Sequence, residues 1–256
     1  MKFNIATIAA LAAGLVLLAA SALLASPSVM GFINLAGLGV VVGGTLAASA
    51  VGFSPLRIIQ ALKVFALSCK PGEANIDDYV EGLAAVADQY SSSGAESLAR
   101  PPGLGPDPFF DQGLAMAAAG VEAGHIEKLL DQVMRSEYES WTAKADVFRA
   151  MARFSPAFGL AGGLIGMIGM TRSMGADPAG AGPAMGAALT AILYGLLLAY
   201  LVFIPMAVRI ERRAGERYGL MSLVRQGLVL AASGVSGDGL RAGLGARSAE
   251  SGIEIE

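Results

Sequence analysis

Long stretches without charged side chains constrain the fold of this 256-residue chain more than any other feature. No Asp, Glu, Lys or Arg occurs in residues 3–56, 154–171 or 178–208, whereas residues 57–153 resemble an ordinary soluble protein. A helix needs about 20 apolar residues to cross a membrane, because each adds about 1.5 Å against a thickness of about 30 Å. The sequence therefore predicts four transmembrane helices, at Ile5–Leu24, Ile33–Phe53, Phe154–Thr171 and about Ala184–Val208.

The first of these spans has an alternative interpretation. Lys2, an apolar run and the sequence "LLAS" also fit a cleaved signal peptide. A transmembrane helix is favoured because the apolar run is longer than a signal core and a second apolar span follows at once.

The distribution of Lys and Arg predicts the orientation. With four spans, the N-terminus, the 54–153 insert and the tail lie on one side, which then holds every Lys and Arg except Arg172. Positive charge accumulates on the cytoplasmic side of a membrane. We therefore expect both termini in the cytoplasm. The chain is then divided into spans one and two (1–53), a cytoplasmic insert (54–153), spans three and four (154–208) and a cytoplasmic tail (209–256).

Composition gives no sign of several other functions. A net charge of −3 does not indicate nucleic-acid binding. A single cysteine, Cys69, excludes an internal disulfide, and a single histidine, His125, has no second histidine with which to form a metal site. No nucleophile, base or metal set is visible, so the sequence predicts neither an enzyme nor a cofactor.

The parts between and after the spans predict an all-α fold. The segment "ANIDDYVEGLAAVADQY" has an acidic start and apolar residues at a helical period. A longer helix is predicted from about Ile126 into span three. The Gly- and Ser-rich composition after Ala232 predicts a mobile end of the tail.

Glycine is abundant in spans two to four. In lipid, helices associate through close packing, which small residues permit. The pairs Gly159–Gly163 and Gly162–Gly166 have the small-xxx-small spacing. Packing within the chain explains most of these glycines, yet three glycine-rich spans also leave room for helices of other chains. Two prolines, Pro156 and Pro205, are expected near one membrane face, where each removes a backbone donor and can act as a hinge or mark a helix start.

Several segments together resemble one family. The sequences "FINLAGLGVVVGGTLAASAVGFSP", "FSPAFGLAGGLIGMIGM" and "GPAMGAALTAILYGLLLAYLVFIPMAVRIERR" resemble the second, third and fourth spans of MotA/PomA flagellar stator subunits. Weaker matches are "DPFFDQGLAMAAAG" in the insert and "LVRQGLVLAASG" in the tail. The related TolQ and ExbB proteins have three spans, so four predicted spans favour the MotA branch.

The resemblance implies a ring of five copies around two copies of a MotB-type partner in the bacterial inner membrane. That partner supplies one transmembrane helix with an essential Asp and a peptidoglycan-binding domain, and ion flow past the Asp turns the ring against the flagellar rotor and its switch protein. The spans of this chain contain no Asp, Glu, Lys, Arg or His, and ion transfer normally needs an ionisable group, so the carboxylate is expected from the partner. The residues assigned to the ion pathway and to packing of the partner helix are Pro156, Gly159, Gly163, Gly166, Thr190, Tyr194 and Pro205.

Two departures from the family pattern concern the ion and the rotor. The positions of the two threonines of sodium-driven members are Gly163 and Ile192 here, and Thr190 is about 200° away from Ile192 around a helix. Proton coupling is therefore predicted. The family's rotor-facing Arg and Glu correspond to Ser91 and Ala99. Either the nearby residues Asp88, Glu96 and Arg100 are the rotor contacts, or the driven object is not a standard rotor.

Two other hypotheses remain at this point. One is a TolQ/ExbB-like energiser of an envelope process other than swimming. The other is a structural membrane protein that conducts nothing.

Overall fold

The computed structural model describes residues 32–69, 75–174 and 180–250, together with the isolated positions 13, 14, 16 and 20. Every regular element in these residues is helical, so the all-α prediction is confirmed for the described part of the chain. The helices are α1 (Leu35–Gly52), α2 (Pro55–Ser68), α3 (Ile76–Ser93), α4 (Pro108–Ala118), α5 (Ala123–Ser173), α6 (Ala181–Leu197), α7 (Ile204–Ala232) and α8 (Gly237–Glu250), with a short 3-10 helix at Ala95–Ser97 and a π-helical segment at Leu198–Phe203.

Three stretches of described helix are long and apolar enough to cross a membrane. They are α1, α5 and the run from α6 through the π-helical segment into α7, and they correspond to the predicted spans two, three and four. The predicted helix from about Ile126 into span three is confirmed, because α5 is 51 residues long. The predicted span at Ile5–Leu24 lies outside the described residues, apart from the four isolated positions.

The chain divides into two compact units. Residues 1–71 and 142–211 form what we call the spanning unit, and residues 72–141 and 212–256 form what we call the insert–tail unit. The spanning unit contains α1, α2, α6 and the apolar half of α5. The insert–tail unit contains α3, α4, α8, the first part of α5 and most of α7.

The insert–tail unit has a hydrophobic core to which each of its helices contributes. Local signals explain where two of these helices begin: Asn75 caps α3 through its side chain, and Asp107 caps α4, which has Pro108 at its first position. Burial of apolar side chains then holds the helices together. The largest fully buried side chains of this core are Leu83, Phe110, Ile126, Leu130, Met134, Met221, Leu228 and Leu240.

The end of the tail differs from the sequence prediction. The prediction of a mobile stretch after Ala232 is wrong, because α8 forms there and buries Leu240 and Leu244 in the core. The backbone N–H of Gly237 donates to a carboxylate oxygen of Asp88 at 2.9 Å, which caps the new helix. Glycine lowers the intrinsic helix propensity of this segment, but two leucines four residues apart supply an apolar face that tertiary packing stabilises.

An ion pair lies at the edge of this core. Asp107 is 3% exposed, and its carboxylate accepts two hydrogen bonds from the guanidinium of Arg217, at 2.7 and 2.9 Å. The Tyr79 hydroxyl donates to the same carboxylate at 2.8 Å, and Arg217 also contacts Glu137 at 3.4 Å. The cluster therefore joins α3, α4, α5 and α7 through groups that satisfy one another.

The pKa values of this cluster follow from its geometry. Burial alone would raise the pKa of Asp107, but the hydrogen bonds and positive charge of Arg217 outweigh it and lower that pKa below the ordinary value of 3.8. Burial and the neighbouring Asp107 raise the pKa of Tyr79 to about 12. Since the folded-state pKa of Asp107 is lowered, its contribution to stability is present above pH 3.8 and is lost as the pH falls further.

We predict that Asp107→Ala lowers the free energy of unfolding of the insert–tail unit by about 3 kcal/mol, because Arg217 and Tyr79 lose their common acceptor. The measurement is denaturant unfolding of the full-length protein in detergent, followed by the fluorescence of the single tryptophan, Trp141. Arg135→Ala is the matched control, because it removes an exposed ion pair with Asp131 and should change nothing measurable. Equal stability of Asp107→Ala and the parent at pH 7 would contradict the role of Asp107 as the common acceptor of Arg217 and Tyr79.

Candidate functional site

Helices α5 and α6 approach each other most closely where side chains are absent. A Cβ atom on Gly159 would lie 3.1 Å from the carbonyl oxygen of Ala191, and a Cβ atom on Gly195 would lie 2.6 Å from the carbonyl oxygen of Ser155. Because these neighbours are backbone atoms, no side-chain rotation could relieve the clash. The Ser155 hydroxyl donates to the carbonyl oxygen of Gly195 at 2.9 Å, so the contact is both close and hydrogen-bonded.

The same contact continues along α5 towards its C-terminus. A Cβ atom on Gly163 would lie 2.8 Å from Cγ1 of Ile192, and one on Gly166 would lie 2.9 Å from Cβ of Ala188. The structure therefore places Gly159, Gly163 and Gly166, which were assigned to packing of a partner helix, against α6 of the same chain.

The two positions at which the resemblance expects threonine in sodium-driven members touch each other. The side chain of Ile192 occupies the space in front of Gly163, so this contact is apolar. Thr190 is 5% exposed, and its hydroxyl donates to the carbonyl oxygen of Gly186 on its own helix at 2.8 Å. Thr190, the threonine nearest in sequence to Ile192, thus directs its hydroxyl towards the α6 backbone.

Pro156 lies inside α5, at the closest approach of the two helices. Its Cα would be 3.1 Å from a Cβ atom on Gly195. Proline in a helix interior removes one backbone hydrogen bond. The glycine contact and the missing hydrogen bond therefore fall in the same turn of α5.

Pro205 is an exposed residue near the start of α7 and follows the π-helical segment. In that segment the backbone N–H of Ile204 donates to the carbonyl oxygen of Ala199, five residues earlier. A proline ring clashes with the carbonyl four residues before it, and a π turn is one of the recognised ways in which a helix deviates. The widened turn therefore accompanies the proline.

Tyr194 bonds to the chain segment just before α1. Its hydroxyl accepts a hydrogen bond from the backbone N–H of Asn34 at 3.0 Å and donates to the carbonyl oxygen of Phe32. The Asn34 side chain donates to the carbonyl oxygen of Ala187 on α6 at 2.8 Å. Asn34 and Tyr194 thus connect α6 to α1.

No Asp, Glu, Lys, Arg or His occurs in α1, in α6 or in the part of α5 between Arg153 and Arg172. Among the described residues, no group of three or more His, Cys, Asp and Glu side chains could hold a metal ion. The polar groups of the spanning helices are therefore hydroxyls, amides and backbone atoms.

Other surfaces of the spanning unit remain open. A Cβ atom on Gly39, Gly43, Gly169 or Gly186 would have no neighbour within 4 Å. Large apolar side chains are exposed on the same helices; they include Leu35, Leu46, Val51, Leu164, Ile165, Ile168, Leu189 and Leu196. Faces of this kind suit contact with lipid or with helices of other chains.

The three candidate rotor contacts lie in the insert–tail unit. Asp88 caps α8, and Arg100 pairs with Asp111 at 3.0 Å and donates to the carbonyl oxygen of Gly105. Glu96 lies in the 3-10 helix. Asp88 and Arg100 therefore both have partners within their own unit.

Sequence reasoning missed Asn34, Ser155 and Asp107. Two of them carry a local signal, since Asn34 directly precedes an apolar helix and Asp107 precedes a proline, as helix caps often do. Ser155 has no comparable signal, because its importance comes from Gly195, which lies 40 residues further along the chain.

Comparisons with known proteins identify relatives of this chain. The model of the MotA/TolQ/ExbB proton channel family matches residues 104–222. Motility protein A of Aquifex aeolicus is 31% identical over 215 residues, which are 82% of this chain and 82% of that protein. Uncharacterized protein YtxD of Bacillus subtilis is 30% identical over 203 residues, 79% of this chain and 74% of that protein. The flagellar MotAB stator complex from Bacillus subtilis shares the fold, with a TM-score of 0.86 at 20% identity over 98% of this chain and 100% of that chain.

Helical spans and these relatives define a class of multi-pass membrane proteins. The chain belongs to the MotA/TolQ/ExbB proton channel family, in its MotA/PomA branch. The resemblance to MotA/PomA stator subunits is therefore confirmed.

We predict that Gly195→Ala separates α5 from α6, because the new methyl group meets the Ser155 carbonyl oxygen. The variant should lose about 1–3 kcal/mol of stability, the usual effect of overpacking, measured as a lower thermal midpoint in detergent. Gly182→Ala on the same helix is the control, since its methyl group would meet no atom within 4 Å. Identical midpoints for the two variants would show that this contact is not close-packed.

Proposed function

We propose that this chain is the ion-channel-forming subunit of a proton-driven rotary stator, which converts ion flow into torque on the flagellar rotor together with a MotB-type partner. The observation that carries the proposal is the relationship to Motility protein A over 82% of the chain. The chain would act as a channel subunit in the inner membrane rather than as an enzyme, with its N- and C-termini in the cytoplasm.

The partner would supply the ionisable group. Ion transfer through a membrane normally needs such a group, and the spans of this chain contain no Asp, Glu, Lys, Arg or His. A single-span MotB-type protein with an intramembrane Asp fills this gap. The open glycines Gly39, Gly43, Gly169 and Gly186 would allow neighbouring helices to approach closely.

Copies of the chain would form a ring of five around two partner helices. Support comes from the spanning unit, where α5 and α6 satisfy each other while apolar faces of α1, α5 and α6 stay exposed. These exposed faces are available for neighbouring copies, the partner helix and lipid.

Protons are the proposed ion. Gly163 and Ile192 make an apolar contact, and the hydroxyl of Thr190 bonds to its own helix. A sodium ion needs several oxygen ligands, and these three side chains do not present a set of them.

The driven object is the flagellar rotor, through its switch protein, with Asp88, Glu96 and Arg100 as the candidate contacts. A TolQ/ExbB-like energiser of another envelope process is the second candidate function. It is favoured by one observation, which is that Asp88 and Arg100 already have partners within the insert–tail unit.

The proposal is tested in a strain without its own stator, which receives this chain with or without a single-span, Asp-bearing partner sought beside the gene. We predict that swimming requires both proteins.

The Pro156→Leu variant should enter the membrane normally and fail to support swimming, because leucine restores a backbone hydrogen bond at the α5–α6 approach. Full swimming without the partner would refute the stator function, whereas a defect confined to the cell envelope would favour the TolQ/ExbB-like alternative.

The proposed ion gives a separate prediction. Replacing external sodium by potassium at constant proton-motive force should leave the swimming speed unchanged. The readout is the speed of tethered or swimming cells, with a collapsed proton gradient as the positive control. Speed that follows the external sodium concentration would exclude proton coupling.

A further inference from the structure

A network of four hydrogen bonds joins the start of α1 to α6 inside the spanning unit. The side-chain oxygen of Asn34 accepts from the backbone N–H of Gly37 at 2.9 Å and caps α1, while its amide nitrogen donates to the carbonyl oxygen of Ala187 at 2.8 Å. The backbone N–H of Asn34 donates to the hydroxyl of Tyr194 at 3.0 Å, and that hydroxyl donates to the carbonyl oxygen of Phe32. The Tyr194 hydroxyl is thus bonded as a donor and as an acceptor.

The network holds α6 at two points. Ala187 and Tyr194 are seven residues apart, which is two turns along one face and about 10.5 Å of helix. Two attachments fix both the depth and the rotation of α6 relative to α1. A shift by one residue, about 1.5 Å, would leave Asn34 and Tyr194 without these partners among apolar side chains.

The contacts on both sides of α6 depend on this register. On the α1 side, a Cβ atom on Gly37 would lie 2.9 Å from Cβ of Ala191. On the α5 side, Ser155 bonds to the carbonyl oxygen of Gly195. Ala191 and Gly195, four residues apart on α6, therefore contact α1 and α5 respectively. A shift of α6 along one of these helices would also disturb its contact with the other.

We propose that Asn34 and Tyr194 are positioning residues, which keep α1 and α6 in the register that ion conduction requires. The Tyr194 hydroxyl therefore serves the contact between helices and does not carry ions, which changes the role that the resemblance gave it. This inference rests on the proposed channel function.

Two substitutions isolate the contact. Tyr194→Phe removes the hydroxyl and keeps the ring. Asn34→Ser keeps a side-chain oxygen that can cap α1 but removes the amide nitrogen that reaches Ala187, so it separates capping from attachment to α6. Thr171→Val is the control for the loss of a hydroxyl, because Thr171 is exposed and its hydroxyl bonds to Ile168 on its own helix.

The experiment measures proton flux per complex, normalised to the amount in the membrane, for full-length chain expressed with its Asp-bearing partner. We expect Asn34→Ser and Tyr194→Phe each to lower the flux about three- to tenfold, the effect of one interhelical hydrogen bond in a membrane. The flux of the double variant should be no lower than that of the more impaired single variant, because both substitutions break one network. The pH at half-maximal flux should stay at the parent value in all variants.

Each other outcome has a definite meaning. Parent-like flux in both single variants would overturn the inference, and so would loss of flux with a shifted pH midpoint in Tyr194→Phe alone, which would place that hydroxyl in the ion pathway. If both variants fail to enter the membrane, the network serves folding and the inference is wrong. If the parent protein with its partner conducts nothing, the proposed function fails first.

Discussion

The rest of the spanning unit depends on one constraint, which is that α5 and α6 can approach only where side chains are absent. Lipid offers no hydrophobic force to bring helices together, so contact area and interhelical hydrogen bonds must do so. A methyl group on Gly195 would overlap with a carbonyl oxygen of α5, and one on Gly159 would be in tight contact with a carbonyl oxygen of α6. This approach brings the Ser155 hydroxyl within reach of the opposite helix, where it finds an acceptor at 2.9 Å.

Sequence reasoning identified the helices of spans two to four, because hydrophobicity and length are properties of each segment. It did not identify which glycine faces which neighbour. Gly43 and Gly44 are adjacent, yet a methyl group on Gly43 would meet nothing within 4 Å, whereas one on Gly44 would overlap with the ring of Phe158. The spacing of glycines in the sequence is the same for a contact within the chain and for a contact with another chain. Only the three-dimensional structure distinguishes the two.

In the insert–tail unit the errors of sequence reasoning have a different cause. Asp107 and Arg217 lie 110 residues apart, and Asp88 and Gly237 lie 149 apart. Neither pairing leaves a local pattern, so the glycine-rich tail was predicted to be mobile although it forms a packed helix. Half of the first contact was nonetheless visible, since Asp107 stands before Pro108 as a helix cap does.

The fourth span is bonded on both sides of its irregular segment. Before the π-helical residues, Tyr194 and Gly195 bond to the start of α1 and to α5. After them, the Arg209 side chain donates to the carbonyl oxygen of Ser68 at 3.1 Å, and Glu211 accepts two hydrogen bonds from Arg149 at 2.5 and 2.6 Å. Each extra residue in a turn rotates the following helix by about 100°. Because both flanks are held within the spanning unit, the π-helical turn sets which face α7 presents to its neighbours there, and the missing donor of Pro205 favours that turn over a regular one.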